Sequence, residues 1–371
     1  MNKKRARAGK TEQSSFDYSL LLITLCLVGF GMLMIYSASN YTARLHMGNA
    51  FYYVERQIFT VLLGTAAMFL MMKLDYHRLL KMALPLYGLS LLLLAAVFVV
   101  GTASHGQKRW IYIGSIGFQP SEFAKFVLII FLASICGAAG SMMKKWKGIL
   151  LVFLWMMPVA GMVMVTNLST GIIIMGIAFI IIFTASRQWL PFFVLMGLGG
   201  GFMGIFLKLA SYRLGRIEAW LNVETHPKGY QTRQSLYAIG SGGLFGRGYG
   251  KSIQKLAYIP EAHNDMIFSV ICEEWGLLGA GIIAALFIFL IWRCLITANS
   301  APDIPGALLT MGVTAHLGLQ MLINIAVVTN SIPNTGIPLP FISYGGTSLI
   351  FLMCEIGIVQ NIAQQGKTYI S

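Results

Sequence analysis

"TNSIPNTGIPLPFISYGGTS", residues 329–348, interrupts the longest stretch of the chain that lacks Asp, Glu, Lys and Arg, 304–354. Its prolines remove backbone donors and its glycines favour turns, so one helix cannot run through it. A helix covers the ~30 Å hydrocarbon core of a bilayer with about 20 residues, so this stretch supplies two crossings. "TNLST", 166–170, divides the charge-free stretch 148–186 in the same way. The other charge-free runs, 18–43, 57–72, 82–107, 126–143, 188–207 and 275–292, are single spans. The expected fold is an all-α polytopic membrane protein of ten helices.

The whole composition agrees. The 371 residues are 57% hydrophobic and 11% charged, with mean hydropathy +0.72, where a soluble domain carries about 25% charged residues. The net charge of +14 is placed asymmetrically. With the N-terminus inside, 14 of the 27 Lys and Arg fall in the basic tail 1–16, the turns around Lys73–Lys81 and Lys144–Lys147, and at Arg187, Arg293 and Lys367. That satisfies the positive-inside rule and puts both termini in the cytoplasm. No small-residue cleavage site follows the first span, which reads as uncleaved. The expected organisation is a tail, 1–16, one membrane domain, 17–365, and a second tail, 366–371. The five cysteines lie in or beside apolar spans without CxxC spacing, so neither a disulfide framework nor a zinc site is indicated.

One exterior segment, about 211–264, between helices 7 and 8, is cationic. It carries Arg213, Arg216, Lys228, Arg233, Arg247, Lys251 and Lys255 against Glu218, Glu224 and Glu261. It reads either as a solvated loop against anionic headgroups or as a cradle for an anionic substrate. Its "GSGGLFGRGYGKS", 240–252, would let backbone approach phosphate closely. "GRGYGKS" is one residue short of a nucleotide P-loop, and no nucleic-acid partner is expected.

Ionisable groups within or beside spans are functional candidates because burying them is costly. Glu273 and Glu274 lie about two turns below Asp265, Glu355 lies within the last helix, and Glu122 and Lys125 are spaced i,i+3 at the outer end of the fourth. Pro120 and Ser121 mark that helix's start. Asn167, Gln320 and Asn324 read first as interhelical hydrogen-bonding groups. In "YIPEAHNDMIF", 258–268, Asn264 or Asp265 can cap the eighth helix. Asp265 is equally placed to serve as a general base at the outer surface.

Several motifs stand in order: "GFGMLMIYSAS" (29–39), "GQKRWIYIGSIGFQPSEFAKF" (106–126), "YRLGRIEAWLN" (212–222), "GYQTRQSLYAIGSGGLFGRGYGKSIQKLAYIPEAHNDMIFSVICEEWGLLG" (229–279) and "GIPLPFISYGGTSL" (336–349). Together they resemble the SEDS family (shape, elongation, division and sporulation), from about residue 18 to 365. The "PEAHND" form is similar to the FtsW/SpoVE division and sporulation branch more than to the elongation branch.

The resemblance implies a peptidoglycan glycosyltransferase of the bacterial cytoplasmic membrane that polymerises lipid II on the outer face beside a class B penicillin-binding protein. It implies Asp265 as the catalytic aspartate, and it matches Trp110, Glu122 and Lys125 to the family's pattern. The pyrophosphate leaving group calls for cations, for which Arg213, Arg216, Arg247, Lys251, Lys255 and Arg109 are the candidates, with Trp110 beside them. Glu122, Lys125, Glu273, Glu274 and Ser343 are expected to shape the cavity. No metal-ligand cluster is readable; a divalent cation, Mg2+ or Mn2+, would sit between substrate phosphates and Asp265. Where the family reads "QPDLGT", this chain has "VTNLSTG", 165–171, with Asn167 for the acid and Ser169 for the glycine. A structural or partner-related role is expected for that position. The competing functions are a lipid II flippase, motivated by Glu273, Glu274 and Glu355, and a non-catalytic scaffold for the transpeptidase.

Overall fold

Asp17 starts the first helix by accepting the backbone N–H of Leu20 (3.0 Å). Such a cap satisfies one of the four N–H groups a helix end leaves unpaired. The computed structural model describes residues 16–366 except 105–106, 115 and most of 187–210, and the side chains of 211–214 also fall outside the description. The helices are α1 (Tyr18–Met47), α2 (Tyr52–Lys73), α3 (Tyr76–Lys81), α4 (Ala83–Val100), α5 (Pro120–Ala139), α6 (Trp146–Thr166), α7 (Leu168–Ser186), α8 (Ser211–Leu221), α9 (Tyr230–Gly242), α10 (Ile267–Ser300), α11 (Ile304–Val328) and α12 (Gly346–Gln365).

Among the described residues nine helices are long and apolar enough to cross a membrane. The tenth expected span, 188–207, lies mostly outside those residues, as do the tails 1–15 and 367–371. The interruptions read from the sequence fall where expected: α6 gives way to α7 at Asn167, and 329–345 is not helical. Contacts group the turns by bundle end as the alternation requires. At one end, Arg293 holds Asp17 (2.7 Å) and Asp303 accepts from Tyr76 (2.9 Å). At the other, Trp220 donates to the Asn330 carbonyl (2.8 Å). Between α4 and α5 the chain forms a small antiparallel sheet of Thr102–Ser104, Gln107–Ile113 and Ile116–Phe118, in that order. The alternating "KRWIYI" explains a strand there.

The last helix is central: 83% of its apolar window is buried. The eighth span, α10, is not continuous. Gly276 sits at φ 67°, ψ −169°, about 14 Å along the helix at 1.5 Å per residue. The turn that follows α9 fills the break. Leu277 and Leu278 N–H donate to the carbonyls of Gly243 and Leu244 (2.9 and 3.1 Å), while Arg247 and Gly248 N–H donate to those of Glu273 and Glu274 (both 2.9 Å). Backbone inside a bilayer must satisfy its own hydrogen bonds, and this reciprocal exchange does so. Tyr249 also donates to the carbonyl of Leu33 (3.0 Å), half-way along α1. The stretch 240–252 is therefore a re-entrant turn reaching the level of mid-span residues.

Candidate active site

Asp265 lies in the run-in to α10, half-buried. It stands one residue before the cap position of α10, which is Met266, whose own side chain makes no cap hydrogen bond. Gln231, in the first turn of α9, donates through Nε2 to Asp265 Oδ1 (3.4 Å). Gln231 Oε1 accepts from Asn334 Nδ2 (3.2 Å), and the Asn334 carbonyl accepts from Arg216 (3.3 Å). A chain of polar contacts thus runs from the Arg216 guanidinium to the Asp265 carboxylate. Gly336, at φ +66°, presents its backbone to the same carboxylate; a Cβ there would lie 3.8 Å from Oδ2. Gln231, Asn334 and Gly336 were not singled out by the sequence, since neutral amides and a glycine carry no charge signature.

The cations divide sharply. Lys255, expected to bind pyrophosphate, is a structural residue instead. Its ammonium contacts Glu274 Oε1 (2.7 Å) and Ser37 Oγ (2.8 Å), and its side chain is 3% exposed. Arg247 and Lys251 lie on the re-entrant turn. Arg247 Nε is 3.9 Å from Glu273 Oε1, and exposed Lys251 folds against Gly248. Several backbone N–H groups in and beside the segment 240–252, where a phosphate cradle was expected, are taken by the α10 helix instead. Besides the N–H groups of Arg247 and Gly248, those of Ile253 and Gln254 donate to Glu273 (2.9 and 3.3 Å), and that of Ser252 to Glu274 (3.4 Å). Arg213 lies among residues whose side chains are not described. Arg109 donates to the Thr166 carbonyl (3.1 Å), at the α6–α7 break. Trp110 sits on the central strand of the small sheet, half-buried, its ring beside Gly117.

Glu273 and Glu274, 1% exposed, clamp the turn to the helix. Glu273 accepts from Ser252 Oγ, and Glu274 from Ser37 (2.6 Å) and Lys255. Glu122 and Lys125 pair at 3.0 Å, both buried, and the pair extends across helices: Lys125 donates to Gln320 Oε1 (3.3 Å). Gln320 in turn donates to the Pro338 carbonyl (3.0 Å). Glu355 accepts from His316 (2.9 Å), a partner the sequence did not single out. Asn167 caps α7, its Oδ1 taking the N–H groups of Ser169 and Thr170 (3.2 and 3.4 Å). An amide oxygen caps as well as a carboxylate, which accounts structurally for the replacement of the acid.

His263, two residues before Asp265, is wedged between Tyr53 and Tyr344, with ring centroids 4.3 and 5.5 Å away. Burial pushes its pKa down to about 4, so the imidazole is neutral at physiological pH. Among the described residues no three His, Cys, Asp or Glu side chains gather to hold a metal.

The profile of the cell cycle protein family FtsW/RodA/SpoVE matches residues 18–368. The chain belongs to the FtsW/RodA/SpoVE family. The chain is 38% identical to stage V sporulation protein E of Bacillus subtilis (strain 168), over 96% of this chain and 99% of that protein. It is 36% identical to a probable peptidoglycan glycosyltransferase FtsW of Geobacter sp. (strain M18), over 94% and 96%. Among solved structures, a chain of a peptidoglycan synthase complex that coordinates polymerization and crosslinking superposes with a TM-score of 0.80 at 28% identity, covering 95% of this chain and 98% of that one. RodA, the rod shape determining protein of Thermus thermophilus, gives 0.72 at 28% identity, covering 95% and 98%. The FtsW/RodA/SpoVE fold therefore extends over nearly all of the chain, including the segments that carry Asp265, Gln231 and Asn334.

Proposed function

We propose that the chain is a peptidoglycan glycosyltransferase that polymerises lipid II in division or sporulation, with Asp265 as general base on the outer face of the cytoplasmic membrane. The observation that carries the assignment is the half-buried Asp265 carboxylate, oriented by Gln231 and linked through Asn334 to Arg216. The GlcNAc 4-hydroxyl of one lipid II attacks C1 of the lipid-linked MurNAc of another, and the pyrophosphate lipid leaves. The α linkage becomes β, so one inverting displacement suffices. Asp265 takes the hydroxyl proton, a contribution of about 10²–10⁴-fold. Arg216 is the cation best placed for the developing pyrophosphate charge. A Mg2+ or Mn2+ ion would be held by the substrate phosphates with Asp265 and would supply charge neutralisation to the departing pyrophosphate.

The names of the FtsW and SpoVE relatives support the reaction class and the process. The similarity to a synthase-complex chain supports assembly with a class B penicillin-binding protein. The flippase reading rested on Glu273, Glu274 and Glu355, and each now has a partner in Ser252, Lys255 or His316. The test is to give the purified chain and its transpeptidase labelled lipid II, with a vesicle translocation assay alongside. Glycan strands without translocation support the proposal; translocation without strands overturns it.

A further inference from the structure

The three carbonyls leading into the α10 helix, those of His263, Asn264 and Asp265, are each taken by a donor from the segment 324–344. Tyr344 N–H donates to His263 O (2.9 Å). Ser343 Oγ donates to Asn264 O (2.7 Å). Asn324 Nδ2 donates to Asp265 O (2.7 Å) and also to Ile337 O (2.8 Å). Ser343 Oγ further accepts the N–H of Leu339 (2.8 Å). Asn324 is fully buried and Ser343 is 5% exposed.

We propose that Asn324 and Ser343 are positioning residues for Asp265, holding its backbone against the Pro-rich segment 337–344. This rests on the general-base reading of Asp265 and adds what sets its geometry. A residue ahead of a helix has no helical ladder to fix its dihedrals, and Met266, at the cap position, offers no side-chain cap bond. Three consecutive carbonyl bonds to one segment replace that missing restraint. Asn324 is suited because its amide offers two hydrogens, one for each of the two carbonyls it bonds. Gln320, one turn earlier on α11, makes the same kind of bond to Pro338, so one face of α11 fixes both the segment and the residue set against it. General-base catalysis depends on heavy-atom placement within hydrogen-bond reach, and an ångström of displacement costs about 100-fold.

The test compares wild type, Asp265→Asn, Asn324→Ala, Ser343→Ala and Ser343→Thr, each full-length with its transpeptidase, on labelled lipid II. The expected result for Asn324→Ala and Ser343→Ala is a kcat loss of about 10- to 100-fold with KM little changed. Ser343→Thr, which keeps the hydroxyl, recovers most of the rate. If Asn324→Ala does not fold, the two Ser343 variants decide. Wild-type kcat in Ser343→Ala, with Asp265→Asn inactive, overturns the positioning role and leaves the general base standing. Equal losses in Ser343→Ala and Ser343→Thr also overturn it. Full activity in Asp265→Asn overturns the general base itself.

Discussion

The ammonium of Lys255 lies 2.7 Å from Glu274 Oε1, with the two side chains 3% and 0% exposed. A cation read from the sequence as a substrate ligand is thus an internal tie between the re-entrant turn and α10. Removing one partner of a buried pair leaves an uncompensated charge and costs about 3–5 kcal/mol. Lys255→Met is expected to lose stability on that scale, and the double variant Lys255→Met/Glu274→Gln to recover part of it. Melting curves in detergent of wild type, Lys255→Met, Glu274→Gln and the double variant measure the coupling; additive losses would contradict the pairing.

The break in α10 requires glycine. A Cβ on Gly276 would fall 2.4 Å from both Gly246 N and Leu244 O, at a φ of +67°, where L side chains are strained. Gly276→Ala is expected to abolish recovery of folded protein. Gly281→Ala, on the same helix with open space around it, is expected to be tolerated. Size-exclusion profiles from membranes compare the two directly.

His263 gives stability a pH dependence. Its folded pKa is about 4 against an ordinary 6.5, because burial disfavours the charged ring. The unfolded chain therefore binds a proton below pH 6.5 that the folded chain refuses until about pH 4. Stability is intact above 6.5 and falls through that window, at 1.36 kcal/mol per unit. At pH 5 this amounts to about 2 kcal/mol. His263→Phe, keeping an aromatic between Tyr53 and Tyr344, is expected to flatten the melting temperature between pH 7 and 5 relative to wild type. An equal slope in both proteins would show that another group is responsible.

At Gly336, a methyl group would meet the Asp265 carboxylate at 3.8 Å and carry the strain of φ +66°. Gly336→Ala is expected to lower kcat by about 10-fold or more through displacement of the base. A rate equal to wild type would place the reacting hydroxyl elsewhere.

The spans were legible because apolar runs and their Pro, Gly and Asn interruptions state length and breaks directly. Asp265 was singled out by its place at a charge boundary and by the motifs around it. Lys255 was not, because the acid and serine that bury it, Glu274 and Ser37, come from α10 and α1, and charge counting along a segment sees neither. The re-entrant turn was hidden for a related reason: Gly276 sits in an otherwise helical pattern, and a single glycine does not announce a break. Asn324 was legible as an interhelical hydrogen-bonding group but its partners were not, and Gln231 and Asn334 reach Asp265 and each other across the fold, which neutral amides do not signal in sequence. The small sheet was missed because two of its strands are three residues long.

The central claim is that Asp265 removes the proton from the attacking sugar hydroxyl. Asp265→Asn keeps the size and the backbone bonds to Asn324 while removing the basic oxygen. Polymerisation of labelled lipid II by the Asp265→Asn protein with its transpeptidase, read as glycan strands on a gel, tests this most directly. Loss of about 10²-fold or more in rate, with normal melting and normal assembly, is the predicted result. Strands formed at the wild-type rate would contradict it.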